Sequence, residues 1–581
     1  MKSKKKESRK TTQPAVSSPA SQAGPLYWPY ALAAILALAA VFEAYQPALY
    51  GPFVFDDNFL PFRNPRFATH ELRPWLIGVR PLLMFSYWVN FELSGGETFS
   101  YHALNVLLHA ANAALIFLIV RKILAWAGVE TERLDILAGF AGGLFLIHPV
   151  QVESVAYIAS RSEDLSGLFF FGAYAAFLYR RSTAISWARA AAVLLLFGAA
   201  AGTKEHTATL PALLVLTDYF WNPGFSLAGI KRNWRLYAPM VVAGALAGLF
   251  VMRTLRGATS AGFSVKQFTW YEYFFTQCRA IWVYVRLFLL PVGQSADYDF
   301  AISHTLLEHG AWLGLVAIVA GAGAAFYFRR RYPLAAFGFL IFLLLLAPTS
   351  SFIPIKDPVA ERRLYLPIIG LLFIMLEFLR RWKPARTTAL VALGSVLLAA
   401  AAGTYRRSSV WGSAITLWED TVEKSPRNAR AHFQLAHAYF LERACDKAAA
   451  HYAIAAQNQK PRQDLLVDWA LAYDCLNQPE EALTRLRQAA ALRPSAHVYS
   501  QIGMVYGKQG KNAEALEALD TAITLNPRYG MSYIYRGGVH LALKDPAAAA
   551  ADFKRALAID PANQSALDAL RMAEGQLRGG R

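Results

Sequence analysis

Residues 53–65 read FVFDDNFLPFRNP, with Asp56 and Asp57 side by side among aromatic residues. An apolar run lies just upstream, and charge at the mouth of a bilayer is costly unless it serves a purpose. A carboxylate near a hydroxyl can act as a general base. Asn64 and Arg80 follow this pair, and three later segments are also rich in polar groups. HPVQVESVAYIASRSEDLSG carries His148, Glu153, Arg161, Glu163 and Asp164. GTKEHTATLP carries Lys204, Glu205 and His206, and PTSSFIPIKDPVAERRLYLP carries Asp357, Glu361, Arg362, Arg363 and Tyr365. A guanidinium can hold a departing phosphate through two parallel bonds. A base, a hydroxyl acceptor and a lipid-linked phosphate leaving group together make a glycosyl transfer. A transporter or a lipid-modifying enzyme could use the same parts. Plainer readings stand beside these: Lys204 and Glu205 could pair with each other. His102, Asn105 and His109 share one helix face and could form interhelical hydrogen bonds.

These groups need a membrane to hold them. The chain has 581 residues, 55% of them hydrophobic and only 17% charged, against roughly 25% charged in a soluble protein. The net charge of +18 is gathered in short clusters between apolar runs. That is the pattern of loops on one side of a bilayer, and it argues against a nucleic-acid partner. Residues 1–26 read as a basic, disordered cytoplasmic tail. Residues 27–404 form the membrane domain, with candidate spans at 27–46, 101–120, 134–150, 164–180, 186–202, 207–221, 236–252, 311–328, 334–350, 364–380 and 386–404. Several are shorter than the ~20 residues a crossing needs. The stretch 270–290 carries Arg279 and Arg286 and reads as re-entrant or interfacial. Eleven crossings place every basic cluster in the cytoplasm and all four polar segments, with everything after 404, on the outer face.

After a connector at 405–428 comes a solenoid at 429–577, in which residues 429–561 repeat with a period near 34. Tyr499, Gly503, Tyr506, Ala515, Leu519, Ala522 and Pro527 recur as Tyr533, Gly537, His540, Ala549, Phe553, Ala556 and Pro561. This is the tetratricopeptide pattern: small residues where two helices touch, large ones between, and a closing proline. About four units and a last helix predict an α-solenoid with a concave face for a protein or peptide. Cys445 and Cys475 fall in neighbouring repeats, where an outer compartment permits a disulfide, but the sequence does not set their distance.

FVFDDNFLPFRNP, RPLLMFSYWVNFELSGG, LFLIHPVQVESVAYIASRSEDLSGLFF, GTKEHTATLPALLVLTDYF and ERRLYLPIIGLLF together resemble one family. They look like the transmembrane and tetratricopeptide repeat-containing proteins and their bacterial relatives, which are related to the protein O-mannosyltransferases. The resemblance implies an all-α, GT-C-like polytopic domain of about 11–13 helices followed by the solenoid. It also implies inverting transfer of mannose or another hexose from a polyprenyl-phosphate carrier to a protein hydroxyl. Asp56 and Asp57 map onto the acidic first outer loop, Asp56 being favoured as the catalytic residue. His148 and Glu153 become cavity residues. Glu361 and Arg362 would lie near the carrier phosphate, with Arg80, Arg161 and Lys204 as further phosphate ligands; His102, Glu163 and Glu205 complete the candidate substrate site. The chain has SRSED where the family often has GRAD or GRAE, and KEH where KEQ is commoner. A divalent cation on the aspartate pair is conceivable but not required. The expected compartment is a bacterial inner membrane, with the site facing the periplasm. Two alternatives remain open: an O-antigen ligase or oligosaccharyltransferase-like enzyme, and a non-catalytic membrane-anchored scaffold.

Overall fold

The computed structural model describes residues 28–61, 71–76, 78, 80–255, 262–263 and 265–579. The tail at 1–26 and Asn64 lie outside the described residues. Every regular element among the described residues is helical, with an apolar helical region followed by a tetratricopeptide solenoid.

Among the described residues, four helices are long and apolar enough to cross a membrane: Trp28–Ala48, Thr98–Trp126, Glu308–Phe328 and Arg386–Val410. A fifth crossing would join Thr131–Ile147 to Pro149–Ala156, two helices bent by 46°. Pro149 explains the bend: proline lacks an N–H and disfavours helix at the residue before it, and His148 is extended. Trp187–Ala201, Pro333–Leu346 and Ile368–Leu379 are apolar but shorter. The 3-10 turns Glu205–Thr209 and Glu361–Leu364 interrupt the apolar pattern. By length and composition alone, four or five spans among the described residues qualify beside the eleven crossings expected, because polar segments occupy the ends of the shorter helices. Pro333–Leu346 and Ile368–Leu379 pack backbone to backbone: a Cβ on Gly338 would lie 2.4 Å from the Gly370 carbonyl oxygen. Small residues permit such approach between membrane helices.

The stretch expected to be re-entrant or interfacial is the helix Trp270–Leu289. Near its start, Tyr273 Oη donates to the Thr349 carbonyl at 2.6 Å and Gln277 Nε2 to the Pro358 carbonyl at 2.9 Å. At its far end the Phe288 carbonyl accepts from His148 Nε2 at 3.0 Å. Both ends therefore meet segments expected on the same face. The chain then runs back along the helix, with Arg279 Nη1 donating to the Ala301 carbonyl at 2.9 Å and the Ser303 N–H to Thr276 Oγ1 at 2.9 Å.

The solenoid comprises the helix pairs Ala429–Leu441 with Cys445–Asn458, Gln463–Cys475 with Pro479–Leu492, Ala496–Lys508 with Asn512–Leu525, and Gly530–Ala542 with Pro546–Ile559. Gln564–Gly579 follows. Arg443, Asn477, Gly510 and Lys544 each adopt positive φ at the equivalent turn, ending the first helix of every pair. The repeating small position is required by packing: a Cβ on Gly503 would meet the Leu519 side chain at 2.5 Å. Cys445 and Cys475 form a disulfide, with Cα atoms 6.2 Å apart, tying the first repeat to the second.

The connector is not a free linker. It is the end of Arg386–Val410 followed by the helix Ala414–Lys424, whose N-terminus is capped by Ser413 Oγ. Lys424 Nζ donates to the Gln294 carbonyl at 2.7 Å. Arg430, on the first solenoid helix, makes two bonds to Asp297 at 2.6 and 2.5 Å and one to Asp357 at 2.9 Å. The solenoid is thus docked on the polar segments of the membrane half.

Candidate active site

The two aspartates fold into different environments. The turn Phe55–Phe59 is a 3-10 helix. Asp57 is fully buried. Its Oδ2 accepts the Val54 N–H at 3.0 Å and its Oδ1 the Ala159 N–H at 2.7 Å, pinning the turn to the segment before Arg161. Burial pushes the Asp57 carboxyl up to about 8, against the pull of those two N–H groups. Asp56 is exposed. Its N–H donates to Tyr157 Oη at 2.9 Å, and its carboxylate makes no hydrogen bond or ion pair among the described residues. The two carboxylates share no face. Among the described residues no three His, Cys, Asp or Glu side chains converge into a metal-binding group.

Three cations stand in pairs with carboxylates. Arg80 holds Glu205 bidentately at 3.0 and 2.8 Å. Lys204 pairs with Glu163 and donates to Ser162 Oγ at 3.1 Å, and His206 Nε2 lies 3.5 Å from the same glutamate. Arg362 pairs with Glu153, whose other oxygen accepts the Arg362 N–H at 3.1 Å. The pairs form one electrostatic neighbourhood: Lys204 feels Glu163, Arg80 and Arg362. Tyr157 feels Asp56 and Arg362, whose guanidinium lies 6.0 Å from its ring centroid. Burial would raise Glu205, but its bonds to Arg80 hold it below the usual range. Burial lowers His206 to about 4, leaving it neutral near pH 7. Arg80 and Arg362 remain 36% and 28% exposed, so an arriving anion can reach both.

The other candidates are built into the scaffold. Arg161 is fully buried and donates to Asn105 Oδ1 at 2.8 Å, the Ser86 carbonyl at 3.2 Å and the Tyr101 carbonyl at 3.1 Å, with Tyr87 4.4 Å away. His102 Nε2 lies 3.2 Å from the Gly51 carbonyl oxygen. His148 accepts the Val150 N–H on Nδ1 at 3.2 Å, so its Nε2 carries the proton given to Phe288. Glu361 is buried and accepts from Gln294 at 2.6 Å, the Ser295 N–H at 2.9 Å and Tyr298 at 2.7 Å. His109 bridges the Leu146 carbonyl and Tyr365 Oη, each at 3.0 Å, as an interhelical bond.

A family model for the tetratricopeptide repeat matches residues 400–462 and 501–564. Over 552 residues the chain is 24% identical to mouse protein O-mannosyl-transferase TMTC3, covering 83% of this chain and 57% of that protein. The human TMTC3 match is also 24% identical, covering 83% and 58% respectively. Over 145 residues it is 34% identical to human protein O-mannosyl-transferase TMTC2, covering 24% of this chain and 16% of the relative. The chain is similar to the TMTC3 proteins over most of its length. It spans a little over half the length of the TMTC3 relatives.

Sequence reasoning missed two contributors to the candidate site. Tyr157 receives the Asp56 N–H, yet in SVAYIASR it looks like any packed aromatic. Trp418 lies 4.4 Å from the Phe55 ring, and nothing in the connector sequence marks it as a neighbour of the aspartate turn.

Proposed function

We propose that this chain is an integral membrane glycosyltransferase that moves mannose or another hexose from a polyprenyl phosphate to a protein hydroxyl. The observation that carries this is an exposed Asp56 carboxylate with no protein partner among the described residues, on a turn whose N–H bonds Tyr157, with the Arg362 guanidinium 6.0 Å from the Tyr157 ring. The printed names of the TMTC relatives support the same chemistry. In the transfer, Asp56 takes the proton of the acceptor hydroxyl as its oxygen attacks the anomeric carbon. The bond from that carbon to the phosphate oxygen breaks, the electron pair leaves with the polyprenyl phosphate, and the anomeric configuration inverts. Arg362, Arg80 and Lys204 stabilise the leaving phosphate, exchanging their carboxylate partners for it.

An apolar cavity of about 460 Å³ supports a lipid-borne donor. It lies between Trp270–Leu289 and three apolar helices and is lined by Trp282, Val285, Phe288, Phe339, Ile374 and Phe378. The docked solenoid suits recruitment of a protein acceptor, because it raises the local concentration of a bound segment near the turn. The disulfide supports an outer, oxidising compartment, a periplasm if the source is bacterial.

The test is transfer from a radiolabelled polyprenyl-phosphate sugar to an acceptor protein by the full-length chain in lipid. Asp56→Asn should lower transfer by about 10²–10⁴-fold without unfolding. Full transfer by that variant overturns the assignment. A product heavier by an oligosaccharide, not one hexose, moves the protein to the oligosaccharide-transferring class. Capture of a partner with no sugar transfer leaves a scaffold.

A further inference from the structure

The turn that presents Asp56 is strained, and part of its restraint comes from the solenoid side. Phe55 has φ +49°, a left-handed backbone conformation rarely adopted by a bulky residue. Such a conformation persists only where its surroundings over-determine it, and it concentrates at functional sites. Here the Phe55 ring meets Trp418 edge-on at 4.4 Å and Tyr157 at 6.0 Å. Tyr157 stacks on Trp411 at 5.9 Å and accepts the Asp56 N–H. The backbone closes the same contact: a Cβ on Gly51 would lie 2.5 Å from the Trp411 carbonyl oxygen.

Trp418 is 2% exposed, on the helix Ala414–Lys424. That helix is fixed through its C-terminal half. Arg407 Nη1 donates to Asp420 at 2.7 Å, and Lys424 reaches the Gln294 carbonyl at 2.7 Å. Its Glu419 accepts from Tyr439 in the first solenoid repeat. Aromatic contact therefore runs from the first repeat's support helix to the residue preceding the exposed carboxylate.

We infer that Trp418 is a positioning residue for the transfer: through Phe55 it holds the strained turn that aims the Asp56 carboxylate at the acceptor hydroxyl. This rests on the glycosyl-transfer reading above. It makes the connector part of the site, so the first repeat and the catalytic turn move as one unit. Trp418 touches no substrate, and its removal should misaim the base while leaving donor binding intact.

The experiment compares full-length wild type, Trp418→Ala, Trp418→Phe and Phe55→Gly in lipid nanodiscs. Trp418→Ala should lower kcat about tenfold or more, since small misplacements of a reacting group carry penalties of that order. Its KM for the donor should stay within about twofold, because ground-state binding is untouched. Trp418→Phe, which keeps a ring at the contact, should recover most of kcat. Phe55→Gly relieves the strain without altering the connector and should also lose kcat. Amide hydrogen exchange is the second readout. Exchange of residues 53–60 should rise in Trp418→Ala and Phe55→Gly, with the solenoid helices unchanged. Wild-type kcat in Trp418→Ala, or unchanged exchange at 53–60, overturns the inference. If the wild type transfers no sugar, the glycosyl-transfer reading fails while the exchange arm still decides the clamp. If Trp418→Ala loses protection throughout, Phe55→Gly decides: wild-type kcat with unchanged exchange at 53–60 overturns the inference.

Discussion

Asp57 holds two backbone N–H groups in a buried turn, so replacing it tests structure where replacing Asp56 tests chemistry. Asp57→Asn offers one carbonyl oxygen for two donors and turns an amide N–H₂ toward the other. The expected cost is about 1–3 kcal/mol of stability, the penalty of an unsatisfied buried group. Its pH dependence has a definite sign. Burial raises the folded-state pKa of Asp57 to about 8, above its ordinary value of 3.8. The folded state therefore keeps a proton that the unfolded chain gives up in that interval, and this group's contribution is full on the acid side and lost as pH rises through 8. The thermal-midpoint advantage of wild type over Asp57→Asn should shrink steadily from about pH 5 to about pH 8. A constant or widening gap would show that Asp57 is ionised in the fold.

At the scale of elements, the disulfide closes a loop between repeats with a sequence separation of 30. Loop closure of that length stabilises by about 3–4 kcal/mol in the chain-entropy account. The pair Cys445→Ser and Cys475→Ser should therefore speed amide exchange in the first two repeats of the full chain, leaving the last two less affected because a solenoid couples mainly nearest neighbours. Equal exchange in the two proteins would show that the bridge adds nothing. The solenoid was the most legible part of the sequence, because Gly503, Gly537 and their alanine equivalents recur at positions where a Cβ meets the facing helix. Helix lengths in the membrane half were less legible, because a hydropathy pattern does not reveal that Pro149 bends a helix by 46°. At the site, the segments Glu153–Glu163, Lys204–His206 and Glu361–Arg362 were visible as polar interruptions. Residue type alone could not separate the partly exposed Arg362 from the fully buried Arg161, since each is an arginine within two residues of a carboxylate. The aromatic contact between Phe55 and Trp418 joins residues far apart in the chain, and no local signal encodes it.

For the whole molecule, the sidedness of the site does not depend on counting crossings. A continuous set of contacts links the aspartate turn to the solenoid. Asp56 bonds Tyr157; Arg362 bonds Glu153, a few residues upstream of Tyr157; and Asp357, just before Arg362, bonds Arg430 of the first repeat. Three direct bonds joined by short stretches of chain make up this path, and we propose that the turn and the solenoid share one aqueous face whether four helices cross or eleven. The basic clusters make contacts of their own away from these segments: Arg133 donates to the Trp382 carbonyl at 2.6 Å, and Arg180 pairs with buried Asp218 at 2.8 Å. By the positive-inside rule we propose that end as the cytoplasmic one. The native thiols do not interfere, since Cys278 is buried and the other two are bridged. Single cysteines at Phe59, 84% exposed in the turn, at Met572, 59% exposed on the last helix, and at exposed Arg181 therefore report sidedness cleanly. A membrane-impermeant maleimide applied from outside should label Phe59→Cys and Met572→Cys in sealed membranes, and Arg181→Cys only after permeabilisation. Labelling of the first two from opposite sides would break the contact path, and with it both the acceptor-recruiting solenoid and the Trp418 clamp.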